Sequence, residues 1–297
     1  MAAPSSAVRD DRLQRGIEAI RARGYRVVES DHLYDRIGFL AGSDVARAKD
    51  LSSLFERDDV HAVFCARGGY GACRTLDKVD WRVIASHPKV FVGFSDVTAL
   101  HLAIHRYAGY PTIHGPMVVN LGGELSPTAT DLFWRTIEVA EPPAALPAPP
   151  DRLRTLRGGF ARGRLAGGCI SLLAAAIGTP EAPDFRGRIV LLEDVGEAPY
   201  RIDRMLVQMQ RAGTFAEVAG VVIGHVTPPA GCSDAAPGDE PLGLPDVWRE
   251  RIGSLGVPAI VGFPFGHVPD ALTLPLGCDA VLDADKRQLT VVESAVE

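Results

Sequence analysis

The first 115 residues switch repeatedly between helical and strand spacing of their apolar positions. Leu13, Ile17 and Ile20 recur at intervals that place them on one face of a helix. Helices are predicted at residues 8–23, 43–56 and 96–108. Short apolar runs predict strands at residues 25–28, 60–65, 89–94 and 111–114. Because strands that alternate with helices form crossover units, this half is predicted to be an α/β domain with a parallel sheet.

A proline-rich segment separates this pattern from the second half of the chain. Five of the residues in Glu141–Pro150 are proline, which excludes a helix or an inner strand and predicts a stiff, extended linker. We therefore divide the chain into an N-terminal domain (residues 1–140), a linker (141–158) and a C-terminal domain (159–297).

The second half is predicted to contain more short strands than helices. Helical patterns occur near residues 171–177 and 200–211. Short apolar runs predict strands at residues 189–192, 220–224, 259–262, 272–276, 280–282 and 289–292. A segment rich in Gly, Pro and Asp, residues 228–244, is expected to be a mobile surface loop.

Composition narrows the classes of function that the chain can have. The 297 residues carry a net charge of −6, which argues against a protein that binds nucleic acid or an anionic membrane through a basic face. An anionic substrate must therefore be bound by a local group of arginines. The five cysteines form no C-x-x-C pair, and no apolar run reaches the ~18 residues of a membrane span. With no signal peptide visible, the expected location is a reducing cytoplasm.

The segment Val90–Thr98 carries the strongest local signal of catalysis. An apolar strand leads through Gly93 to Ser95 and then directly into a helix. A serine on such a turn is exposed beside free backbone N–H groups, which can stabilise an oxyanion. The G-x-S-x-G pattern is only half met, because Val97 stands at the position of the second glycine. Ser95 is thus either a nucleophile or an ordinary helix N-cap.

A cluster of glycines follows the preceding predicted strand. Gly68, Gly69 and Gly71 would let the backbone approach a ligand closely. The cluster is not a dinucleotide fingerprint, because Arg74 occupies the position of the third glycine. It predicts a ligand-facing loop, with a plain turn as the alternative.

Several side chains could serve as the base that a serine nucleophile needs. His101 and His105 are spaced like zinc ligands on a helix, but Leu102 replaces the glutamate of the H-E-x-x-H motif, so we interpret them as ordinary helix residues. The remaining candidates follow predicted strands: His114, His225 and His267.

The candidate carboxylates follow the apolar strand at residues 189–192. Glu193, Asp194 and Glu197 lie there, at the end of a strand where sites gather in α/β sheets, and their spacing does not separate them. From the residues alone, an anion-binding site, an esterase and a peptidase all remain open.

Six segments, taken in order, resemble the LD-carboxypeptidase family, the murein tetrapeptide carboxypeptidases. They cover nearly the whole chain, and their order makes the resemblance specific. The segments are residues 66–71, residues 93–100, residues 114–117, Gly167-Gly168 with Leu172-Leu173, residues 192–194 with 200–206, and residues 265–267.

The resemblance implies a serine peptidase with a Ser-His-Glu triad and no metal or cofactor. Carried onto this sequence, Ser95 is the nucleophile, His267 the base and Glu193 the residue that orients the base. The oxyanion hole would consist of the backbone N–H of Asp96 and one from Gly68–Gly69. The family fold is an α/β domain followed by a β-rich C-terminal domain, so the triad would draw on both.

The resemblance also implies the substrate and the assembly. Such an enzyme removes the terminal D-alanine from murein tetrapeptides during cell-wall recycling, as a cytoplasmic homodimer. We expect Arg67, Tyr70 and Arg74 to bind the substrate, a guanidinium being suited to its free carboxylate. Two alternatives remain. One is a microcin-immunity-like peptidase of the same family that cleaves peptide–nucleotide antibiotics, and the other is a non-catalytic protein that binds a small ligand.

The start of the chain departs from the family pattern. Similar proteins have an apolar strand before an Ala-Pro-Ser turn, whereas here Met1–Ser6 begins almost at that turn. The expected consequence is an exposed sheet edge or a poorly packed neighbour. None of the proposed catalytic residues is affected.

Overall fold

The computed structural model describes residues 1–8, 11–123, 125–149, 151–227, 229 and 242–297. These residues form two compact units. Unit 1 contains residues 1–141, 269–277 and 294–297, and unit 2 contains residues 142–268 and 278–293. The predicted C-terminal domain, residues 159–297, therefore includes two segments that pack in unit 1. Most of the predicted loop at 228–244 lies outside the described residues.

Unit 1 has helices on a small sheet. Its helices are α1 (Asp11–Ala22), α2 (Asp44–Glu56), α3 (Trp81–Ser86), α4 (Thr98–Tyr107), α5 (Val118–Leu121) and α6 (Pro127–Glu138). Its strands are β1 (Ala62–Phe64), β2 (Val90–Gly93), β3 (Thr112–His114) and β10 (Leu274–Leu276).

The sheet of unit 1 has the order β1-β2-β3-β10. Strands β1, β2 and β3 are parallel and follow one another along the chain, which confirms the predicted α/β class. Strand β10 pairs antiparallel with β3, with Leu274 opposite His114. The apolar pattern predicted a strand at 272–276, and the pairing with β3 explains why that strand packs in unit 1.

One predicted strand of unit 1 is wrong. Residues 25–28 form no ladder, and the backbone contact there is the amino group of Met1, which donates to Val28 O. Ala2 pairs in parallel with Cys65 beyond the end of β1. A cavity of about 290 Å³ lies along β1, lined mainly by apolar residues of the 25–28 segment, α1 and α6.

Unit 2 is built around a larger sheet. Its strands are β4 (Ala144–Ala145), β5 (Arg154–Arg157), β6 (Phe160–Cys169), β7 (Ile189–Val195), β8 (Gly220–Thr227), β9 (Ala259–Val261), β11 (Asp279–Asp283) and β12 (Gln288–Val291). Its helices are α7 (Ile170–Ala175), α8 (Pro199–Arg211) and α9 (Leu244–Arg251).

The strand order of this sheet is β4-β12-β11-β6-β7-β8-β9-β5. The central strands β6 to β9 are parallel, and the flanking strands pair antiparallel, so unit 2 is rich in β structure as predicted. The predicted linker, residues 141–158, contributes β4 and β5, which are the two edge strands. Prolines are tolerated at such edges because an edge strand has unpaired positions.

The central strands of unit 2 are almost completely buried. Strand β7 is buried from Ile189 to Asp194, which explains its continuous apolar run up to the two acids. Its pairing with β8 shifts register between Leu192 and Asp194, because two residues of β8, Gly224 and His225, lie opposite the single residue Glu193. Bulges of this kind redirect a side chain next to a site.

Among the described residues, no helix combines the length and the apolar character that crossing a membrane requires.

Candidate functional site

Ser95 sits on a strained turn between β2 and α4. Phe94 is still extended, whereas Ser95 has φ of 64° and begins a short 3-10 turn that runs into α4. A non-glycine residue in this left-handed region costs about 1–3 kcal/mol, and such strain is concentrated at active sites. Ser95 is therefore more than an ordinary N-cap, which would be extended.

The half-met serine motif has a steric explanation. A Cβ built on Gly93 would lie 2.7 Å from Cγ1 of Val97, so the valine side chain folds back onto the glycine. The first glycine of the pattern is needed for this close approach. The second is not, because Val97 fills the space beneath the turn.

His101 supports the strand that carries Ser95 rather than acting as a base. Its Nε2 lies 2.9 Å from the carbonyl oxygen of Gly93, to which it donates, and its Nδ1 lies 2.8 Å from Oγ1 of Thr112. Burial lowers the pKa of His101 to about 3, so the imidazole stays neutral. The prediction that His101 is an ordinary helix residue fits these contacts.

The glycine loop, residues Gly68–Gly71, lies against Ser95. A Cβ built on Gly68 would be 3.2 Å from Cβ of Ser95 and 3.4 Å from its Oγ. Gly69 has φ of +106°, which an L side chain rarely adopts, and a Cβ there would meet Oγ of Ser6 at 2.4 Å. Glycines are required here for both backbone conformation and space.

Asp96 contributes its side chain to the loop and leaves its backbone N–H available. Its buried carboxylate accepts a 2.8 Å hydrogen bond from Ala72 N, which fixes the end of the glycine loop. Among the described residues, no acceptor is assigned to the backbone N–H of Gly69 or Asp96. Two such donors beside a serine are suited to an oxyanion.

The three predicted substrate-binding residues differ in their contacts. Arg74 donates two 2.9 Å hydrogen bonds to the carboxylate of Asp44, so its guanidinium is already engaged. Arg67 donates one long bond, 3.3 Å, to the backbone oxygen of Ala7. Tyr70 is exposed and lies edge-on to Phe39, with 5.6 Å between ring centroids.

Glu193 and His267 form a hydrogen-bonded pair in unit 2. The Nδ1 of His267 lies 2.8 Å from Oε2 of Glu193, to which it donates. Glu193 lies on β7, and His267 lies in the loop after β9. With Nδ1–H directed at the carboxylate, the lone pair of the neutral ring is on Nε2, which makes Nε2 the atom able to accept a proton.

Gly266 permits this contact, and its role was not evident from the sequence. A Cβ built on Gly266 would lie 2.6 Å from Oε2 and 2.9 Å from Cβ of Glu193, and the residue has φ of +97°. The signal in the sequence was the Gly-His dipeptide in a loop. The need for glycine became apparent only from the approach of β7.

Burial and the contact with His267 have opposite effects on the ionisation of Glu193. The side chain is fully buried, and burial raises its pKa while the hydrogen bond from His267 opposes that rise. Within the described part of the chain, Oε1 of Glu193 has no hydrogen-bond partner. A buried acid with this single contact is costly for stability, which is typical of a functional group.

The structure separates the three acids that spacing left equivalent. Asp194 accepts hydrogen bonds from the backbone N–H of Ser171 at 2.7 Å and of Val195 at 2.8 Å, so it caps the start of α7. Glu197 lies 3.6 Å from the guanidinium of Arg201 on α8. Only Glu193, among these three, contacts a histidine.

The other histidine candidates occupy strands. His114 is buried at the end of β3 in unit 1, with its ring 6.5 Å from that of His101. His225 lies on β8, and its backbone N–H donates to the oxygen of Phe265. The structure thus brings Ser95 together with the glycine loop in unit 1, and Glu193 together with His267 in unit 2.

Two family models match the chain. Residues 1–115 match the LD-carboxypeptidase N-terminal domain, and residues 162–282 match the LD-carboxypeptidase C-terminal domain. The two matches together cover well over half of the sequence.

Curated proteins and solved structures are similar along the full length. A putative carboxypeptidase of Streptomyces coelicolor is 40% identical over 306 residues, covering 99% of this chain and 93% of its own. A murein tetrapeptide carboxypeptidase of Pseudomonas aeruginosa is 32% identical, covering 96% and 92%. The crystal structure of a muramoyltetrapeptide carboxypeptidase from Oxalobacter formigenes is 31% identical with a TM-score of 0.85, covering 99% and 98%.

Proposed function

Because the chain belongs to the LD-carboxypeptidase family, we propose that it is a serine peptidase that removes the terminal D-alanine from murein tetrapeptides. The relatives named for this activity are more than 30% identical over nearly the whole chain, which supports the substrate class. We further propose that the enzyme acts in cell-wall recycling as a cytoplasmic homodimer.

In the proposed mechanism, Ser95 Oγ attacks the penultimate carbonyl carbon and His267 Nε2 takes the hydroxyl proton. Glu193 stabilises the imidazolium that forms. The peptide C–N bond then breaks, the D-alanine amine leaves with the proton from His267, and an acyl-enzyme ester remains on Ser95. Water, activated by the same imidazole, hydrolyses the ester and restores the serine.

The backbone N–H groups of Asp96 and Gly69 stabilise the tetrahedral intermediate in this proposal. Both belong to unit 1, and Gly68 lies so close to Ser95 that a Cβ built on it would be 3.2 Å from Cβ of Ser95. Loss of one such donor costs ~10²–10³ in rate in other serine peptidases. This donor set is expected to account for much of the catalysis that remains when the imidazole is removed.

The observation that carries the proposal is the Glu193–His267 pair. A fully buried carboxylate bonded at 2.8 Å to Nδ1 of a partly exposed imidazole is the arrangement that prepares Nε2 to act as a base. The left-handed conformation of Ser95 supports the assignment of the nucleophile independently.

The proposal is tested by purified Ser95→Ala against the disaccharide tetrapeptide of murein, with release of D-alanine measured. Removal of a triad serine elsewhere costs ~10⁶ in kcat. A loss below about tenfold would refute the nucleophile assignment. Gly109→Ala lies on a turn where a Cβ would meet nothing within 4 Å, and it controls for activity that a variant loses during expression and purification.

The alternative substrate class, a peptide–nucleotide, calls for an aromatic pocket for the base. Trp81 and Trp248 both have structural contacts: Trp81 donates to Leu76 O and stacks on Tyr107, and Trp248 is buried on α9. This supports the murein substrate. Parallel assays with murein tetrapeptide and an aminoacyl-sulfamoyl nucleoside separate the two, and cleavage of neither would favour the non-catalytic binding protein.

A further inference from the structure

The glycine loop contains peptide groups whose orientation matters for the proposed oxyanion hole. Gly69 lacks a Cβ and has φ of +106°, so its neighbouring peptide planes can rotate at little steric cost. The N–H of Gly69 stabilises an oxyanion only if its peptide plane is held in one orientation. The loop therefore needs an external contact that fixes this plane.

Ser6 makes contacts with both peptide groups that flank Gly69. Its backbone N–H donates to the carbonyl oxygen of Gly68 at 3.3 Å. Its Oγ accepts a 3.0 Å hydrogen bond from Tyr70 N and lies 3.5 Å from Tyr70 O. One residue from a distant part of the sequence thus holds two successive peptide planes of the loop.

Because the peptide group is planar, the contact between Ser6 and Gly68 determines the direction in which the Gly69 N–H points. In a trans peptide the C=O and N–H bonds point in opposite directions. Because the Gly68 oxygen points at Ser6, the N–H of Gly69 points away from Ser6. The neighbouring Gly68 packs on Ser95, so the loop lies between the two serines.

The remaining parts of the loop and of Ser6 are fixed by other groups. The buried guanidinium of Arg47 donates to the carbonyl oxygens of Gly71 and Pro4. The backbone of Ser6 pairs antiparallel with Leu40. The backbone of Ser6 is therefore fixed in place, and its hydroxyl oxygen accepts the hydrogen bond from Tyr70 N.

We propose that the Ser6 hydroxyl is a positioning residue that holds the Gly68–Tyr70 backbone in the orientation required for the Gly69 N–H to bind the oxyanion. This inference rests on the proposed function. Ser6 acts through the loop and does not itself touch the reacting atoms. Its removal leaves Tyr70 N without its acceptor, so the Gly69–Tyr70 plane can rotate. The adjoining Gly68–Gly69 plane, which carries the Gly69 N–H, is then held only by the Ser6 backbone N–H, through one long hydrogen bond of 3.3 Å.

The test compares Ser6→Ala with Ser5→Ala in the full-length protein. Ser5 is a matched control, because its hydroxyl is fully buried and makes no hydrogen bond among the described residues. Ser6→Ala is expected to lower kcat by ~10-fold or more, with the ~10²–10³ known for complete loss of an oxyanion donor as the upper limit, and to leave KM little changed. Ser6→Thr keeps the hydroxyl and is expected to restore most of kcat.

A second readout separates this inference from the proposed function. The rate at which a fluorophosphonate probe modifies Ser95 depends on the nucleophile and oxyanion hole, and it needs no murein substrate. We expect slower modification in Ser6→Ala than in Ser5→Ala at equal thermal stability. If the wild type is modified but cleaves no tetrapeptide, the substrate assignment fails while the comparison of the two variants still decides the role of Ser6.

Two results would overturn the inference. One is equal kcat and equal modification rates for Ser6→Ala and Ser5→Ala. The other is a rise in KM with unchanged kcat, which would make Ser6 a substrate contact. If Ser6→Ala does not fold, Ser6→Cys replaces it, since sulfur is a weaker hydrogen-bond acceptor than oxygen. The kcat of Ser6→Cys is then expected to lie below those of Ser5→Ala and the wild type, and an equal kcat would overturn the inference.

Discussion

Replacement of Gly266 by alanine should damage the site through a single methyl group. The added Cβ would lie 2.6 Å from Oε2 and 2.9 Å from Cβ of Glu193. The first contact can be relieved by moving the carboxylate, but the second involves the root of the side chain on a buried strand. The Glu193 carboxylate must therefore shift, and the 2.8 Å bond to His267 lengthens or breaks.

The loss in the free energy of unfolding has two parts, backbone strain and steric overlap, and a matched control variant separates them. Gly256→Ala suffers the same type of backbone strain, with φ of +80°, but its Cβ meets nothing within 4 Å. We expect the control to lose about 1–2 kcal/mol of the free energy of unfolding from the left-handed conformation alone. Gly266→Ala should lose about 1–3 kcal/mol more, because a methyl group is forced into a packed region.

The effect on activity should exceed the effect on stability. A displacement of about 1 Å in a catalytic group can cost ~10²-fold, and loss of the orienting carboxylate in a serine triad costs ~10⁴. We therefore expect Gly266→Ala to lower kcat for release of D-alanine by between ~10²-fold and ~10⁴-fold. The Gly256→Ala control should stay near the wild type.

The assay is kcat and KM on murein tetrapeptide, with urea unfolding of each variant under the same conditions. Activity of Gly266→Ala within about threefold of Gly256→Ala would refute the reasoning, since it would mean that the Glu193–His267 contact does not limit the rate. Equal unfolding free energies of the two variants would refute the steric argument.

Three further predictions concern charge. Glu193→Gln should lower kcat by ~10⁴-fold without destabilising the fold. Asp194→Asn should lower the free energy of unfolding by ~1 kcal/mol and affect kcat much less. Kinetics and urea unfolding measure the two effects, and the reverse pattern would contradict the assignment of Glu193 as the orienting acid. Folding lowers the pKa of His101 from 6.5 to about 3, so between these values the folded state binds fewer protons at this residue than the unfolded state does. The free energy of unfolding, measured by urea titration, should therefore fall by about 2 kcal/mol from pH 7 to pH 5. A value that stays constant over this range would contradict the prediction. Arg67→Met should raise KM for the tetrapeptide about tenfold and Arg74→Met less, since the Arg74 guanidinium is held by a neighbouring carboxylate, and equal effects on KM would be evidence against this distinction.

The turn at Ser95 illustrates what the sequence could predict. The apolar run of β2 and the periodicity of α4 located the strand, the turn and the helix. The left-handed conformation of Ser95 could not be read from them, because a serine N-cap and a strained serine have the same local pattern. Only the three-dimensional backbone conformation, with φ of 64° at Ser95, distinguishes the two.

Glu193 and Asp194 illustrate what the sequence could not decide from spacing. Neighbouring residues on a strand point to opposite faces, so one faces His267 while the other caps α7. Which acid takes which role depends on the loop that carries His267 and on the bulge of β8 that lies opposite Glu193. The resemblance to a known family had to supply the choice.

Residues 25–28 and β10 show that apolar runs do not identify a strand's partner. The run at 25–28 has the composition of a strand but forms no ladder, and a cavity is lined both by this segment and by β1. The run at 272–276 does form a strand, and it joins the sheet of unit 1 although more than 150 residues separate it from β3. The partner of a strand is decided by long-range packing.

The account depends most on the claim that Ser95 reacts under the influence of His267. A crystal structure of the wild type with a phosphonate analogue of the L,D peptide bond tests this directly. The account predicts a bond from Ser95 Oγ to phosphorus, with His267 Nε2 within ~3.2 Å of that oxygen and the N–H groups of Gly69 and Asp96 on the phosphonyl oxygen. A bound analogue with His267 Nε2 more than ~6 Å from Ser95 Oγ would contradict it.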